Sequence, residues 1–161
     1  MSEPGEKFRR AAGSFPSGVT LVTTTASGGV AGMTVAGFAS LSMEPMLVLI
    51  TVSEGSGFVR MIGDAGAFAV NVLAEDQAGV SVRFADAARE VVVPSFEGLA
   101  TRVDTTGCPI LAEALAYLDC RVAHAWTGGD HTVFAGEVVG MGHREDLRPL
   151  AYWRGKYWRL A

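Results

Sequence analysis

Few side chains in this sequence could act directly as nucleophiles or as acid and base pairs. No serine stands in a Gly-x-Ser-x-Gly turn, and no His-Glu-x-x-His pair or prominent couple of carboxylates is present. The three histidines are not spaced as i, i+4 ligands on a helix, so we predict no metal site. Such a chain is better suited to hold a cofactor that carries its own reactivity.

His131 is the histidine best placed for chemistry. It follows Gly-Gly-Asp130 in a turn pattern over residues 127–131 that joins two β-rich runs. A loop histidine on a flexible backbone can reach into a cleft, whereas His124 and His143 lie within or at the end of strand patterns.

A segment of small and hydroxylated residues runs from Met33 to Ser42 and reads Met-Thr-Val-Ala-Gly-Phe-Ala-Ser-Leu-Ser. Small side chains leave the backbone of a strand open to close approach by something flat. The hydroxyls of Thr34, Ser40 and Ser42 add groups that could bind a phosphate. A tight crossing of two strands is the alternative explanation for the same composition.

Residues 46–76 imitate a dinucleotide-binding βαβ unit. A strand over 46–52 is followed by Gly55-Ser-Gly57, a helix over 56–65, a strand over 68–73 and two acidic residues. We do not predict a Rossmann fold, because Arg60 occupies the third glycine position and no further βα units follow. Free amides near Gly55 could still bind a phosphate at the start of the helix, and a simple strand-to-helix turn is the alternative.

Composition limits the class of protein. The 161 residues suit one domain over 1–161, and 49% hydrophobic with 19% charged residues indicates a compact fold. A formal charge of −4 without a basic block argues against nucleic-acid binding. No apolar run approaches the roughly 20 residues of a membrane span, and no signal core is visible, so we expect a cytoplasmic protein. Cys108 and Cys120 are expected to be reduced, buried thiols.

Hydrophobic periodicity predicts a mainly β fold with short peripheral helices. Besides the helix over 56–65, helices are expected over residues 8–15, with Phe8, Ala11, Ala12 and Phe15 on one side, and over 76–84, capped by Asp76. One strand beginning at Val30 should carry the small-residue segment, and the strand over 46–52 should be buried on both faces. The other predicted strands cover residues 19–25, 68–73, 114–125, 132–142, 150–153 and 157–160. Residues 86–109 are expected to be mostly loop with one short strand, and a β-barrel best accommodates a series of hairpin-connected strands such as this.

An ordered set of motifs resembles the short-chain flavin reductase family, the reductase components of two-component flavin-dependent monooxygenases. The motifs are Phe15-Pro-Ser-Gly-Val-Thr20, the segment from Met33 to Ser42, Phe68-Ala-Val-Asn-Val-Leu73, Arg83-Phe-Ala85, Gly107-Cys-Pro-Ile-Leu111, Leu118-Asp-Cys-Arg121, Gly129-Asp-His-Thr132, Gly136-Glu-Val138 and Leu150-Ala-Tyr-Trp-Arg-Gly-Lys-Tyr157. Each motif alone is weak, but together they cover nearly the whole chain in order.

The resemblance implies an FMN-binding, Greek-key split β-barrel that forms a homodimer. It also implies a reaction, in which NADH or NADPH reduces FMN or FAD, and the reduced flavin passes to a partner monooxygenase. The flavin-binding residues implied are Met33, Thr34, Val35, Ala36, Ala39, Ser40, Leu41, Ser53, Ser56, Arg83, Phe84 and Ala85. Ser17, His131 and Tyr152 are implied for the nicotinamide region, with His131 as the catalytic residue.

Three positions depart from the family pattern. Ala36-Gly37 lacks two polar side chains, so backbone contacts must carry more of the flavin binding. Glu54 and Phe58 stand where a basic residue and a threonine often flank the phosphate, which suggests a weakly held, exchangeable flavin. Trp153 replaces an expected histidine. Without an obvious cluster of arginines for a 2′-phosphate, NADH is favoured over NADPH.

Two other functions remain open at this point. One is a non-catalytic flavin- or haem-binding split barrel that serves as a carrier or sensor. The other is a purely structural β-barrel interaction module. Neither of these would need His131 beside a bound ring.

Overall fold

The computed structural model describes residues 2–26, 29–85 and 96–160. Within these residues the helices and strands, in chain order, are α1 (Glu3–Ala12), β1 (Ser17–Gly18), β2 (Thr20–Ala26), β3 (Gly29–Val35), β4 (Phe38–Met43), β5 (Met46–Ser53), α2 (Phe58–Ala65), β6 (Ala67–Val72), α3 (Ala78–Phe84), β7 (Thr101–Arg102), β8 (Ile110–Leu111), β9 (Ala116–Gly128), β10 (His131–His143), β11 (Leu150–Trp153) and β12 (Lys156–Arg159). In the described parts of the chain no helix is long and apolar enough to cross a membrane.

Seven of the described strands form one antiparallel sheet in the order β3-β2-β6-β9-β10-β5-β4. Its edge strands, β3 and β4, are consecutive in the chain, so a two-residue link carries the backbone from one edge of the sheet to the other. This arrangement is a barrel that stays open between its first and last strands. The prediction of a mainly β fold with short helices is confirmed, and a small sheet of β1, β11 and β12 lies apart from the main sheet.

The prediction of a single strand beginning at Val30 is wrong, because the chain turns a corner at Ala36 and Gly37. The Phe38 amide donates to the Ala36 carbonyl at 3.0 Å, and the Thr51 amide of β5 donates to the Gly37 carbonyl at 2.9 Å. A Cβ on Gly37 would lie 2.0 Å from Thr51 Oγ1. Since real side chains cannot approach so closely, any side chain here would force Thr51 to move, and the corner favours glycine at this position.

The main core fills the barrel between the sheet and α2. Phe58 and Ile62 of α2 are fully buried against side chains from the strands, including Val22, Met33 and Phe68. In β5 burial alternates, with Val48, Ile50 and Val52 inside. The prediction that this strand is buried on both faces is therefore wrong, because β5 lies next to the edge strand and turns one face outward.

The outer helices also differ from prediction. Helix α1 begins at Glu3, with Pro4 in its first turn, and none of its residues is buried. Phe8 and Phe15 are 74% and 80% exposed, so the apolar side predicted for this helix packs on nothing in a single chain. Helix α3 is capped by Gln77 rather than by Asp76, and its Phe84 is buried as expected.

Smaller differences concern turns and the region before β8. The turn predicted over residues 127–131 is shorter, since β9 runs to Gly128 and β10 starts at His131. The loop predicted over 86–109 contains the short strand β7, and residues 86–95 of it lie outside the described residues. Cys108 and Cys120 are free, buried thiols, as predicted.

Candidate functional site

The strand β3 directs alternate side chains to opposite faces. Met33 and Val35 are buried in the barrel core, whereas Thr34 points to the other face, where its hydroxyl donates to the Ser81 carbonyl of α3 at 2.7 Å. A ligand on the outer face of β3 can therefore contact the main chain and Thr34, but not the side chains of Met33 and Val35.

The corner and β4 present small, exposed residues. Ala36, Ala39, Ser40 and Leu41 are all exposed, and β4 is the free edge of the sheet among the described strands. The pairing with β5 shifts register between Ser40 and Ser42, which leaves Leu41 in a bulge. The main-chain groups along this edge have no neighbouring strand to pair with, so they are available to a ligand.

The loop between β5 and α2 is open on its outer side. Helix α2 is capped by Gly57 without a side-chain hydrogen bond, and a Cβ built on Gly57 would meet nothing within 4 Å. The Ser56 hydroxyl donates to the Ser53 carbonyl at 2.8 Å, so its proton stabilises the turn. Ser53 is half-buried, and its hydroxyl forms no hydrogen bond within the described residues. Ser53 and the first amides of α2 are the donors that a phosphate would meet here.

His131 lies directly opposite Ser53 in the β5–β10 pairing. Its Nδ1 is 2.7 Å from Asp130 Oδ1, and this hydrogen bond lowers the pKa of the exposed Asp130 carboxyl below its ordinary value. A Nδ1–H that donates to Asp130 leaves Nε2 on the far side of the ring, and the His131 side chain is 44% exposed. The imidazole is therefore oriented and reachable at the end of β5 where Ser53 lies.

Glu54 does not stand free beside the proposed phosphate position. Its carboxylate accepts a hydrogen bond from the Thr132 hydroxyl, and its amide donates to the Asp130 carbonyl at 2.9 Å. The acid therefore ties the β9–β10 turn to the loop before α2, and in doing so it positions His131. This role was not visible in the sequence, where Glu54 read as a charge unfavourable to phosphate.

The segment from Arg83 to Ala85 places three side chains differently. Phe84 is buried, with its ring centroid 5.0 Å from that of Phe96, and it fills the space above Gly32, whose added Cβ would lie 3.0 Å from the Phe84 ring. Its side chain supports β3 from outside rather than facing open space. Arg83 is half-buried and Ala85 is exposed, so these two remain accessible.

The carboxyl-terminal hairpin is connected to β3 by a series of side chains. Ser17 of β1 pairs with Tyr152 of β11, and the Tyr152 ring contacts the Tyr157 ring edge-on, at a centroid distance of 5.4 Å. The Tyr157 hydroxyl lies 2.7 Å from Ser81 Oγ, and the Ser81 carbonyl accepts the bond from Thr34. The predicted nicotinamide residues Ser17 and Tyr152 are thus linked to the predicted flavin strand.

Ser81 and Tyr157 were not among the predicted site residues. Ser81 is fully buried and Tyr157 half-buried, and together they hold α3, β3 and the last hairpin in one arrangement. Their sequence surroundings carry no signal of this, because the contact joins segments that are distant in the chain.

The arrangement suits a flavin in its types of donor and in its open space. The phosphate would be held by the Ser53 hydroxyl and amides at the start of α2, and the ring by main-chain groups at the corner and along the β4 edge. Thr34 can still accept a hydrogen bond through its oxygen while its proton is directed to Ser81. Among the described residues no group of three or more histidine, cysteine or acidic side chains could hold a metal ion.

Comparison with known proteins shows the family of this chain. The family model for the flavin reductase like domain matches residues 12–161. The chain belongs to the flavin reductase-like family. It is 38% identical over 159 residues to the FMN reductase (NADH) SmoA of Agrobacterium fabrum. This match covers 99% of this chain and 88% of SmoA. It is 37% identical over 151 residues to HsaB of Rhodococcus jostii, the reductase subunit of a flavin-dependent monooxygenase, covering 94% of this chain and 75% of the relative.

One similar solved structure contains ligands. The NADH:FAD oxidoreductase SgcE6 of Streptomyces globisporus, in complex with NAD and FAD fragments, superposes on this flavin reductase-like chain with a TM-score of 0.90 and 32% sequence identity. The match covers 100% of this chain and 96% of SgcE6. The predicted family and split-barrel fold are confirmed.

Proposed function

We propose that this protein is an NADH-dependent flavin reductase that reduces FMN or FAD and supplies the reduced flavin to a partner monooxygenase. The observation that carries the proposal is the placement of His131, oriented by Asp130, directly across from Ser53 at the end of β5. Two residues before Ser53 in β5, the Thr51 amide donates to the Gly37 carbonyl and so connects this strand to the Ala36-Gly37 corner. The relatives named FMN reductase (NADH) and monooxygenase reductase subunit support this activity.

In the reaction, the bound flavin supplies the electron acceptor for hydride transfer from the nicotinamide ring. The protein's part is to hold the two rings together and to exclude water, which converts a bimolecular encounter into a positioned one. Main-chain amides at the corner would stabilise negative charge that develops on the reduced ring. His131 would orient the nicotinamide or stabilise charge through Nε2, and no obligatory proton abstraction is assigned to it.

The flavin is proposed to be exchangeable rather than permanently held. The open β4 edge and the exposed Ala36, Ala39 and Ser40 give little enclosure in a single chain. A supplier of reduced flavin must release its product, and a shallow, main-chain-lined seat permits release.

A homodimer is proposed as the working form. Leu41, Met43 and Met46 of the β4–β5 hairpin are 48%, 85% and 43% exposed, which is a cluster of apolar side chains at the open edge of the barrel. Covering this cluster with a second copy would both bury apolar area and deepen the flavin seat. Mass measurement by light scattering during size-exclusion chromatography tests this point.

Steady-state oxidation of NADH and NADPH with FMN and with FAD tests the activity. We expect added flavin to accelerate NADH oxidation well above the rate without protein. A protein that binds flavin, with the expected shift in melting temperature, but leaves the oxidation rate unchanged would instead be a carrier or sensor. A protein that shows neither effect would be a structural module.

A further inference from the structure

A cavity next to the site described so far lies between α1 and the turn that joins β11 to β12. Its volume is about 640 Å³, and its lining includes Arg9, Arg10, Ser14, Tyr152 and Arg154. Pockets that bind small molecules commonly measure about 300–1,000 Å³, so this space is large enough for part of a nucleotide.

The walls of the cavity are fixed to each other by hydrogen bonds. The Trp153 indole donates to the Ser14 carbonyl at 2.9 Å, and the Arg154 amide donates to the Gly13 carbonyl at 3.3 Å. These bonds hold the end of α1 against the hairpin turn. Arginines from opposite ends of the chain are thereby brought to one space, which the sequence did not indicate.

Arg154 is itself held in place by its surroundings. Its backbone adopts φ 49°, in the left-handed region, next to Gly155 at φ 79°, and its guanidinium carbon lies 4.6 Å from the centre of the Trp153 ring. Few side chains other than glycine and asparagine adopt this backbone conformation readily. The turn therefore presents the third cation to the cavity in one defined position.

None of these three arginines forms an ion pair with any residue that the structure describes. Arg9 and Arg10 lie in the last turn of α1, where positive charge stabilises the helix dipole, and that role accounts for two of them. It does not account for Arg154 on the facing wall. All three side chains are exposed, and an anion with several charges in the cavity could accept charge-assisted hydrogen bonds from all of them.

The position of the cavity indicates which anion would bind between the three arginines. Tyr152 lines the cavity and also pairs with Ser17, and it is linked through Tyr157 and Ser81 to Thr34 on the flavin strand. A dinucleotide whose nicotinamide lies near Ser17 would extend its diphosphate past Tyr152 into this space. We propose that Arg9, Arg10 and Arg154 bind the diphosphate of the nicotinamide dinucleotide, an inference that rests on the proposed function.

A binding experiment tests the proposal without relying on turnover. ADP-ribose, which carries the diphosphate without the nicotinamide, is titrated into the intact protein by calorimetry, with adenosine as the uncharged comparison. Each of Arg9→Gln, Arg10→Gln and Arg154→Gln should weaken ADP-ribose binding about tenfold, because each removes a charge-assisted hydrogen bond. Lys7→Gln and Lys156→Gln remove equal charge from exposed positions on the same two walls that do not line the cavity, and they should change affinity less than twofold.

Kinetics separates this proposal from the proposed function. In the arginine variants the KM for NADH should rise about tenfold, while kcat and the rate with reduced nicotinamide mononucleotide, which lacks the diphosphate bridge, stay unchanged. Equal effects of the arginine and lysine variants, or unchanged ADP-ribose affinity in all three arginine variants, would overturn the proposal. A wild-type protein that binds ADP-ribose through the arginines but oxidises no NADH would contradict the proposed function and leave this binding site standing.

Discussion

Two regions of the barrel differ in whether their hydrogen-bonding groups are paired within the protein. We call them the closed side and the split side. On the closed side, formed by β2, β6 and β9, polar side chains are buried and paired internally. Asn71 is fully buried, and its amide donates to the Leu21 carbonyl at 3.1 Å while its carbonyl accepts from the Leu111 amide at 2.8 Å. On the split side, formed by β3, the Ala36-Gly37 corner and β4, the outer edge of β4 pairs with none of the described strands, and Ala36, Ala39 and Ser40 are small and exposed.

The difference separates stability from binding. Among the described residues no buried side-chain nitrogen or oxygen lacks a hydrogen-bond partner. The buried polar groups of the closed side therefore stabilise the fold and offer no unpaired donor or acceptor to a ligand. The split side contributes little burial at β4, and it offers donors and space. Substitutions on the closed side should therefore change the free energy of unfolding, and those on the split side should change flavin affinity.

Asn71→Ala should have the largest effect of all on the closed side. It leaves the Leu111 amide without its Asn71 partner and removes one hydrogen bond to the Leu21 carbonyl, which costs about 2–4 kcal/mol of the free energy of unfolding. Urea unfolding measures the loss, and Ser40→Ala on the exposed β4 edge is the control, expected within about 0.5 kcal/mol of wild type. A loss below about 1 kcal/mol for Asn71→Ala would contradict the comparison.

The two residues of the corner should differ in effect: substitution of Ala36 should change flavin affinity, and substitution of Gly37 should change the free energy of unfolding. Ala36 is exposed, so Ala36→Trp should weaken flavin binding about 100-fold or more and shift the free energy of unfolding by less than about 0.5 kcal/mol. Gly37→Ala should instead destabilise the fold by about 1–3 kcal/mol, because the new Cβ meets Thr51 Oγ1. Thr51→Ala in the same chain should recover most of that loss, and absence of recovery would show that the contact is not the cause. Flavin titration and urea unfolding of these three variants give both quantities.

The mainly β architecture and the ends of most strands could be predicted from the sequence, because alternation and turn residues are local signals. The corner at Ala36-Gly37 could not, since it depends on Thr51, a residue of another strand, and an unbroken run of strand-forming residues gives no sign of it. The place of Met33 and Val35 in the core follows from the register of β3 against β2, in which they lie opposite Val22 and Thr20.

For the candidate site, the resemblance supplied the residues, and the structure supplied their orientation. Ser17 and Tyr152, both expected in the nicotinamide region, are cross-strand partners, and so are Ser53 and His131. The arginine cluster was missed because helix α1 and the last hairpin meet only in three dimensions. The assignment of individual residues to flavin and nicotinamide stays a prediction.

His131→Ala tests the boundary between the two sides, since β10 belongs to the core sheet while its first residue faces the site. The variant should lower kcat for NADH oxidation about 10- to 100-fold through loss of one positioned donor, with flavin affinity changed less than threefold. Asp130→Asn keeps the ring but weakens its orientation, so a smaller decrease of about threefold is expected. Equal losses of flavin affinity and kcat in His131→Ala would assign the histidine to binding instead.

The smallest expected effect is a change in the free energy of unfolding above pH 9, and it tests how completely the closed side excludes water. Burial raises the pKa of the Cys120 thiol from its ordinary value of 9.0 to about 12, with smaller contributions from Asp119 and Cys108. Above pH 9 the unfolded chain loses this proton while the folded chain keeps it. Stability from Cys120 is therefore fully present below pH 9 and is lost as the pH rises from 9 towards 12.

In that range the free energy of unfolding should fall by up to about 1.4 kcal/mol per pH unit for this thiol. Burial raises the pKa of Cys108 too, so the total slope has more than one source. Cys120→Ala removes one of them and leaves the rest. Urea unfolding from pH 8 to pH 10.5 measures the free energy of unfolding of both proteins. Above pH 9 this free energy should fall more steeply in wild type than in Cys120→Ala. A constant difference would mean that water or a hydroxide reaches Cys120 in the folded protein, and that the closed side is less tightly packed than its hydrogen bonds indicate.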